Sequence, residues 1–371
     1  MIPIAEPLLG KDELKNIKEA IESGWVSSKG KFIKEFEDNF SKFCDVKFGV
    51  TTSSGTTALH LALSALGIKS GDEVIVPDLT FIATANTVVY CNAKPTFIDV
   101  HPDYWCLDPE KITEKITPKT KAIIPVHLYG HPCDMDIIME IAEENNLYVI
   151  EDAAEAHGSE YKGKKVGSIG HVSCYSFFAN KVITTGEGGM CLTDNEELAE
   201  KMKLLRDHGM NHEKRYWYDI IGFNYRMTNL QAALGVAQLT KIDKFINKKR
   251  QIANWYYKGL IDLADQELIT LQPEKKWAKS IYWMYSILLN EKLGISRERF
   301  LETLKNNGID NRPFFYAIHL LPPYKCSNST LMVAEDISSR GLNLPSSTVL
   351  EEKDIKYINK IIKKIVDEVK K

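Results

Sequence analysis

The sequence predicts an α/β fold in two parts. The first is a large domain with a mixed, mostly parallel sheet flanked by helices, and the second a smaller C-terminal α+β domain. Two observations predict it. Short, continuous apolar runs alternate with amphipathic stretches through the first three-fifths of the chain, as buried parallel strands and covering helices do. Near Thr228 this texture gives way to a long helical pattern, after which strands and helices recur on a smaller scale. The division is set at 1–244 for the N-terminal and large domain and 245–371 for the small one.

The elements follow in order. Glu73 to Pro77 reads as a buried strand, Phe81 to Tyr90 as a helix, and Pro95 to Val100 as the next strand. Ala122 to His127 is a further strand. Met135 to Asn145 is a helix, Leu147 to Glu151 a strand, and Val172 to Phe178 another strand-like run. Thr228 caps one long helix, Asn229 to about Leu260. Ile281 to Leu289 is a strand. Ser296 caps a helix that ends at Asn307 with Gly308 beyond it, and Glu352 to Val369 is the last amphipathic helix.

Composition narrows the function. The 371 residues are 44% hydrophobic and 26% charged, with a net charge of −3, so neither nucleic acid nor an anionic membrane is expected as partner. No apolar stretch approaches the roughly 18 residues a membrane span needs. Met1 to Lys11 has no basic segment running into an apolar one, so no leader is expected. The seven cysteines (Cys44, Cys91, Cys106, Cys133, Cys174, Cys191 and Cys326) are odd in number and scattered, which fits reduced thiols and a cytoplasmic protein. His127, His131, Cys133, Asp134 and Asp136 cluster in sequence, but their spacing matches no standard zinc pattern and no metal is expected.

Lys181 carries the chemistry. It follows the apolar run to Phe178 and precedes a Thr- and Gly-rich loop, Thr184 to Gly189. Glycines there let backbone and a flat ligand come close. A lysine so placed can lose its proton and attack a carbonyl, which points to pyridoxal 5'-phosphate (PLP). Ser54-Gly55-Thr56 opens an apolar helix and can serve as an anion site or as an ordinary cap. Asp152, at a strand's carboxyl end, can pair with a protonated pyridine nitrogen or cap the next helix. Ser176 can donate to a phosphate or simply end a strand. Phe81, past another strand end, can stack on a ring or pack in the core.

The order of these pieces resembles the fold-type I PLP enzymes, and more closely the DegT/DnrJ/EryC1/StrS sugar aminotransferases. The resemblance rests on Ser54 to Leu59, Glu151-Asp152-Ala153-Ala154, Ser176 to Lys181 with Thr184 to Gly189, and Asn224 to Asn229. It implies that Lys181 holds PLP as a Schiff base and shuttles the proton, and that Asp152 pairs with the ring nitrogen. Ser54, Gly55, Thr56, Ser176 and Asn180 would lie around the phosphate and ring, with Phe81 stacked on it. Asn224 would reach the phosphate from a second subunit, so the resemblance implies a homodimer with shared sites.

Glu155 stands where many members have Gln, near the cofactor's phenolic oxygen. A carboxylate facing a phenolate needs a proton on one of the two. That acid resembles the branch of the family that forms GDP-perosamine. The runs Val126 to Met135, Tyr282 to Ser286 and Arg312 to Tyr316 with His319 resemble it too. The implied reaction takes an amino group from glutamate to C4 of GDP-4-keto-6-deoxy-D-mannose. Arg312 would contact a diphosphate or carboxylate, and Tyr316 and His319 would line the sugar pocket. Three alternatives are an aminotransferase for UDP- or dTDP-linked keto sugars, a PLP-dependent sugar dehydratase, and a non-catalytic PLP-fold protein. Relatives that eliminate a hydroxyl carry histidine in place of the lysine, so Lys181 stands against the second.

Overall fold

The computed structural model describes residues 1–211, 213–325 and 331–370, which leaves Cys326 outside the described residues. Two N-terminal helices, α1 (Lys11–Glu22) and α2 (Lys31–Phe43), precede the first strand. The large unit then runs β1 (Phe48–Thr52), α3 (Gly55–Leu66), β2 (Glu73–Pro77), α4 (Ala83–Tyr90), β3 (Lys94–Ile98), β4 (Thr120–Ile123), α5 (Met135–Glu144) and β5 (Tyr148–Asp152). After a small hairpin, β6 (Glu160–Tyr161) and β7 (Lys164–Lys165), come β8 (Val172–Ser176), β9 (Gly189–Thr193) and α6 (Glu196–Arg206).

These strands make a seven-stranded sheet in the order β1-β9-β8-β5-β4-β2-β3, in which β9 runs against the other six. The strands are short and buried because helices cover both faces: α3 packs on β8 and β9, and the other face carries the main core around Phe36, Phe40, Tyr175 and Phe177. Parallel order puts the carboxyl ends of β2, β5 and β8 along one edge. Asp78, Asp152 and Ser176 stand there, where ligands of open α/β sheets bind.

The expected single helix from Asn229 is two, α7 (Asn229–Leu239) and α8 (Ile242–Asp265), separated at Thr240 and Lys241. The apolar pattern runs through the join, so periodicity alone does not reveal it. Phe81 likewise lies before α4 rather than in it. The chain continues through β10 (Ile269–Leu271), β11 (Ala278–Lys279), β12 (Tyr285–Leu289), α9 (Arg297–Asn306), β13 (Arg312–Pro313), α10 (Met332–Arg340), β14 (Gly341–Leu344) and α11 (Glu352–Val369). A second sheet, β10-β12-β14-β13, packs with α8, α9 and α11 around Tyr256, Phe300, Ile358 and Ile362. The first residues join this unit, with Ile2 bridging Ile309.

Candidate active site

Lys181 lies in the turn after β8, with its Nζ 3.6 Å from Glu155 Oε1. The same nitrogen lies 3.7 Å from the centroid of the Trp283 ring. Burial pushes the Lys181 amine below its ordinary value, and Glu155 and Asp152 oppose that only in part. A lysine whose neutral form is favoured by burial can attack a carbonyl and then move a proton.

Glu155 is buried, and desolvation pushes its carboxyl up to about 7 against the pull of Lys181. Its Oε2 accepts the backbone N–H of Tyr129 at 2.9 Å. Tyr129 reaches that pose with φ of +51°, a left-handed conformation that is uncommon for a bulky residue and marks a functional constraint. The turn also offers its carbonyl to the N–H of Trp283, 3.1 Å away. Sequence reasoning missed both Tyr129 and Trp283, because their roles arise where two distant segments cross.

Asp152 ends β5 and is 5% exposed. Thr84 donates its hydroxyl to Oδ2 at 2.8 Å, and the Ala154 N–H reaches Oδ1 at 3.2 Å. Burial raises the Asp152 carboxyl, with those two donors and Lys181 opposing. Its neighbour Glu151 points the other way, as strand alternation requires. It accepts N–H groups from Gly167, Ile169 and Gly170 at 2.6 to 2.8 Å and faces His127 Nε2 at 3.1 Å. Burial alone would raise Glu151; His127 and those amides hold it low. The paired acids thus divide into a site residue and a clamp for the loop before β8. His127 is fully used by this clamp, since its Nδ1 accepts the Cys133 N–H at 3.0 Å. His131 and Asp134 bond Pro132 O and Tyr161.

Gly55 is the first residue of α3 and lies against Ser176: a Cβ there would stand 2.7 Å from the Ser176 Cβ. Across the sheet Ser176 pairs with Gly189, which in turn pairs with Thr52. Ser54 is the N-cap, its Oγ accepting the Thr57 N–H at 3.1 Å, so that hydroxyl serves the helix first. The N–H groups of Gly55 and Thr56 remain at the positive end of α3, with the Ser176 hydroxyl beside them. Asn180 gives its carbonyl to the Trp283 indole N–H at 2.8 Å, and its own Oδ1 is buried without a partner.

These groups fit PLP. The helix N-terminus with Ser176 suits a phosphate, Asp152 makes no ion pair among the described residues, and Lys181 lies buried beside them. Phe81 is 55% exposed and packs edge-on against Phe315 at 5.7 Å, so a face is available for stacking.

The residues expected at the substrate differ among themselves. Tyr316 is exposed. Arg312 is exposed too, paired with Asp310 at 2.7 Å, an ion pair weak enough in solvent to be exchanged for another anion. His319 is the correction. It is buried, with Nδ1 2.6 Å from Asp78 Oδ2, its own N–H on Asp78 Oδ1 at 2.9 Å, and Nε2 facing Glu335 at 3.3 Å. Held by Asp78 through Nδ1 and its N–H, it fastens the Phe315–Tyr316 segment to the end of β2, while its Nε2 is buried and makes no hydrogen bond among the described residues. Asn224 is exposed, and its side chain makes no hydrogen bond among the described residues.

The family model described as the DegT/DnrJ/EryC1/StrS aminotransferase family matches residues 7–363. The chain belongs to this family. GDP-perosamine synthase of Caulobacter vibrioides is 48% identical over 355 residues, with 95% of each chain covered. GDP-perosamine synthase of Escherichia coli O157:H7 is 46% identical over 357 residues, with 96% of each covered. The solved aminotransferase from Psychrobacter cryohalolentis superposes with a TM-score of 0.94 at 32% identity and 99% coverage of both chains. As a member of this aminotransferase family the chain is an enzyme, and its cofactor is PLP. Among the described residues no helix is long and apolar enough to cross a membrane.

One expected outcome concerns Glu155. Its carboxylate favours the charged form of Lys181, so Glu155→Gln should let Lys181 deprotonate at lower pH. The pH midpoint for capture of PLP by the apoenzyme should move acid by about one unit. An unmoved midpoint would show that Glu155 is not ionised beside Lys181.

Proposed function

We propose that this enzyme transfers the amino group of glutamate to C4 of GDP-4-keto-6-deoxy-D-mannose, giving GDP-perosamine. The observation that carries the reading is 48% identity to a GDP-perosamine synthase over 95% of both chains, with Lys181 in place for transamination. Bound PLP supplies an aldehyde and an electron-withdrawing ring that can take up an amino group and release it to a keto carbon. Lys181 would hold the group through its aldehyde carbon, and its amine would take and return a proton at the reacting carbon. Asp152 would pair with the ring nitrogen and favour its protonated form. Glu155, near neutrality, can share a proton with an oxygen beside it. Ser176, Thr56 and the Gly55 N–H hold the phosphate, with Ser54 shaping the helix end and Asn180 closing the turn. Phe81 covers one ring face, and Arg312 and Tyr316 meet the substrate.

The proposed unit is a homodimer in the cytoplasm, each chain divided at 245 into a large and a small domain. Support for a partner comes from the apolar segment Tyr216 to Ile221. Tyr216, Trp217 and Tyr218 are more than half exposed there and Ile221 is 93% exposed, a few residues before Asn224. Light scattering tests it: a solution mass of one chain, 42.1 kDa, would count against a dimer.

The experiment that tests the reaction is a panel of GDP-, UDP- and dTDP-linked 4-keto-6-deoxysugars with glutamate, products identified by mass and NMR. The GDP-mannose derivative should be preferred in kcat/KM by about a hundredfold or more, since mismatched buried polar groups discriminate strongly. Preference for a UDP or dTDP sugar would overturn the nucleotide assignment, and a product lacking nitrogen would overturn transamination.

A further inference from the structure

We propose that Lys249 is a positioning residue for this site, its buried side chain seating Trp283 and, through Trp283, Lys181. Lys249 lies on α8, far from Lys181 in sequence, and is 4% exposed. Its Nζ donates to two main-chain carbonyls, Trp283 O at 2.9 Å and Ser346 O at 2.8 Å, and makes no ion pair among the described residues. Burying an amine beside neutral acceptors alone costs free energy that an apolar side chain of the same length would avoid. What the amine contributes in return is the placement of those two carbonyls.

The Trp283 carbonyl matters because of what else Trp283 does. Its indole N–H bonds the carbonyl of Asn180, the residue before Lys181, and its ring face meets the Lys181 amine at 3.7 Å. Its backbone N–H bonds Tyr129, whose own N–H holds Glu155. Trp283 is therefore fixed at three points, by Lys249, Tyr129 and Asn180, and Lys181 is held against its ring. Ser346, the second acceptor, takes the Tyr285 N–H on its hydroxyl at 2.7 Å and gives its own N–H to Ile4. One amine thus ties together the lead-in to β12, the segment after β14 and the N-terminal strap beside the lysine turn. A narrow cavity lined by Glu6, Asn180, Lys181, Gln238, Lys249 and Ser347 lies between the two lysines. Burial pushes the Lys249 amine down to about 7, and a neutral amine still has two N–H donors for two carbonyls.

The test is a double-mutant cycle on the full-length apoenzyme, read as the rate at which it captures PLP, followed by the absorbance of the lysine imine. The variants are Lys249→Met, Trp283→Phe and the pair together, with folding checked by circular dichroism. Each single change should slow capture about tenfold, because a small misplacement of the attacking group is costly. The double variant should be no slower than the slower single, since both act through one unit. Wild-type capture by Lys249→Met, or a double variant slowed about a hundredfold as independent effects would give, overturns the proposal. If Lys249→Met does not fold, Lys249→Gln replaces it. Its amide keeps N–H donors for the two carbonyls and should capture PLP at near the wild-type rate. A folded Lys249→Gln whose loss adds to that of Trp283→Phe, or failure of both variants to fold, also overturns it. The inference rests on Lys181 as the carbonyl-reacting lysine, and Lys181→Ala separates the two. Capture that survives in that variant defeats the Lys181 reading and the positioning role with it, whereas wild-type capture by Lys249→Met defeats only the positioning role.

Discussion

Lys181→Ala is expected to lose turnover by at least about 10⁴-fold and to lose the imine absorbance with PLP, while folding as before. The magnitude follows from two losses at once. The amine that bonds the aldehyde disappears, and so does the group that carries the proton. Its surroundings make the loss specific. Lys181 is desolvated, faces Glu155 at 3.6 Å and rests on the Trp283 ring, an environment no other described lysine shares. Removing the cation also leaves Glu155 without its partner, so the Glu155 carboxyl should rise further and stay protonated to higher pH. Wild-type turnover in Lys181→Ala would reject the assignment. The same variant tests whether sites are shared. Asn224→Ala should weaken PLP binding by about tenfold or more, the loss of one hydrogen bond to an anion. At PLP too dilute to load that variant, mixing it with Lys181→Ala chains should restore about a quarter of wild-type activity, because half of the dimers are hybrids with one intact site. No recovery on mixing would place Asn224 outside the neighbouring site.

The large sheet was legible because its strands are short, continuous and apolar, bounded by turn residues. Glu73 to Pro77 appears with the expected bounds, and β3 and β5 within two residues of theirs. What misled was local. Ala122 to His127 reads as one apolar run, but the strand stops at Ile123; the chain still bridges Asp152 at Val126, and His127 then faces Glu151. Asn229 to Leu260 reads as one helix because apolar residues keep their phase across the join at Thr240.

The candidate site was legible where one residue type in one strand-end position implies one chemistry, as at Lys181 and Asp152. It was hidden where long-range contacts decide. Thr84 is an ordinary helix threonine until the fold places it 2.8 Å from Asp152. Trp283 and Lys249 look like core and surface residues, yet meet the lysine turn. The burial of His319 was hidden for the same reason, because the sequence does not show that Asp78 holds it.

Asp152→Ala and Asp152→Asn should each lower turnover by about 10³-fold, the range for removing a preorganised electrostatic partner. Asn is the sharper test. It keeps the size and one acceptor oxygen, which can still take the Ala154 N–H, while the Thr84 hydroxyl can turn to accept from the amide nitrogen, so the packing of β5 should be largely unchanged. The negative charge is lost, and one acceptor becomes a donor. Burial raises the Asp152 carboxyl, so its ionised form is disfavoured where no cation lies beside it. A cationic ring nitrogen beside it would reverse that cost, lowering the carboxyl below its position in the apoenzyme. Binding of PLP and ionisation of Asp152 are therefore coupled, and PLP should bind Asp152→Asn more weakly by about tenfold or more. The coupling separates this role from a structural one. A carboxylate that merely caps the Ala154 turn would tolerate Asn with little loss, since Asn caps as well as Asp. The check is the rate of the glutamate half-reaction together with PLP affinity and melting temperature. Loss of rate and affinity at constant stability supports the ring partner, and wild-type rate in Asp152→Asn assigns the residue to the turn alone.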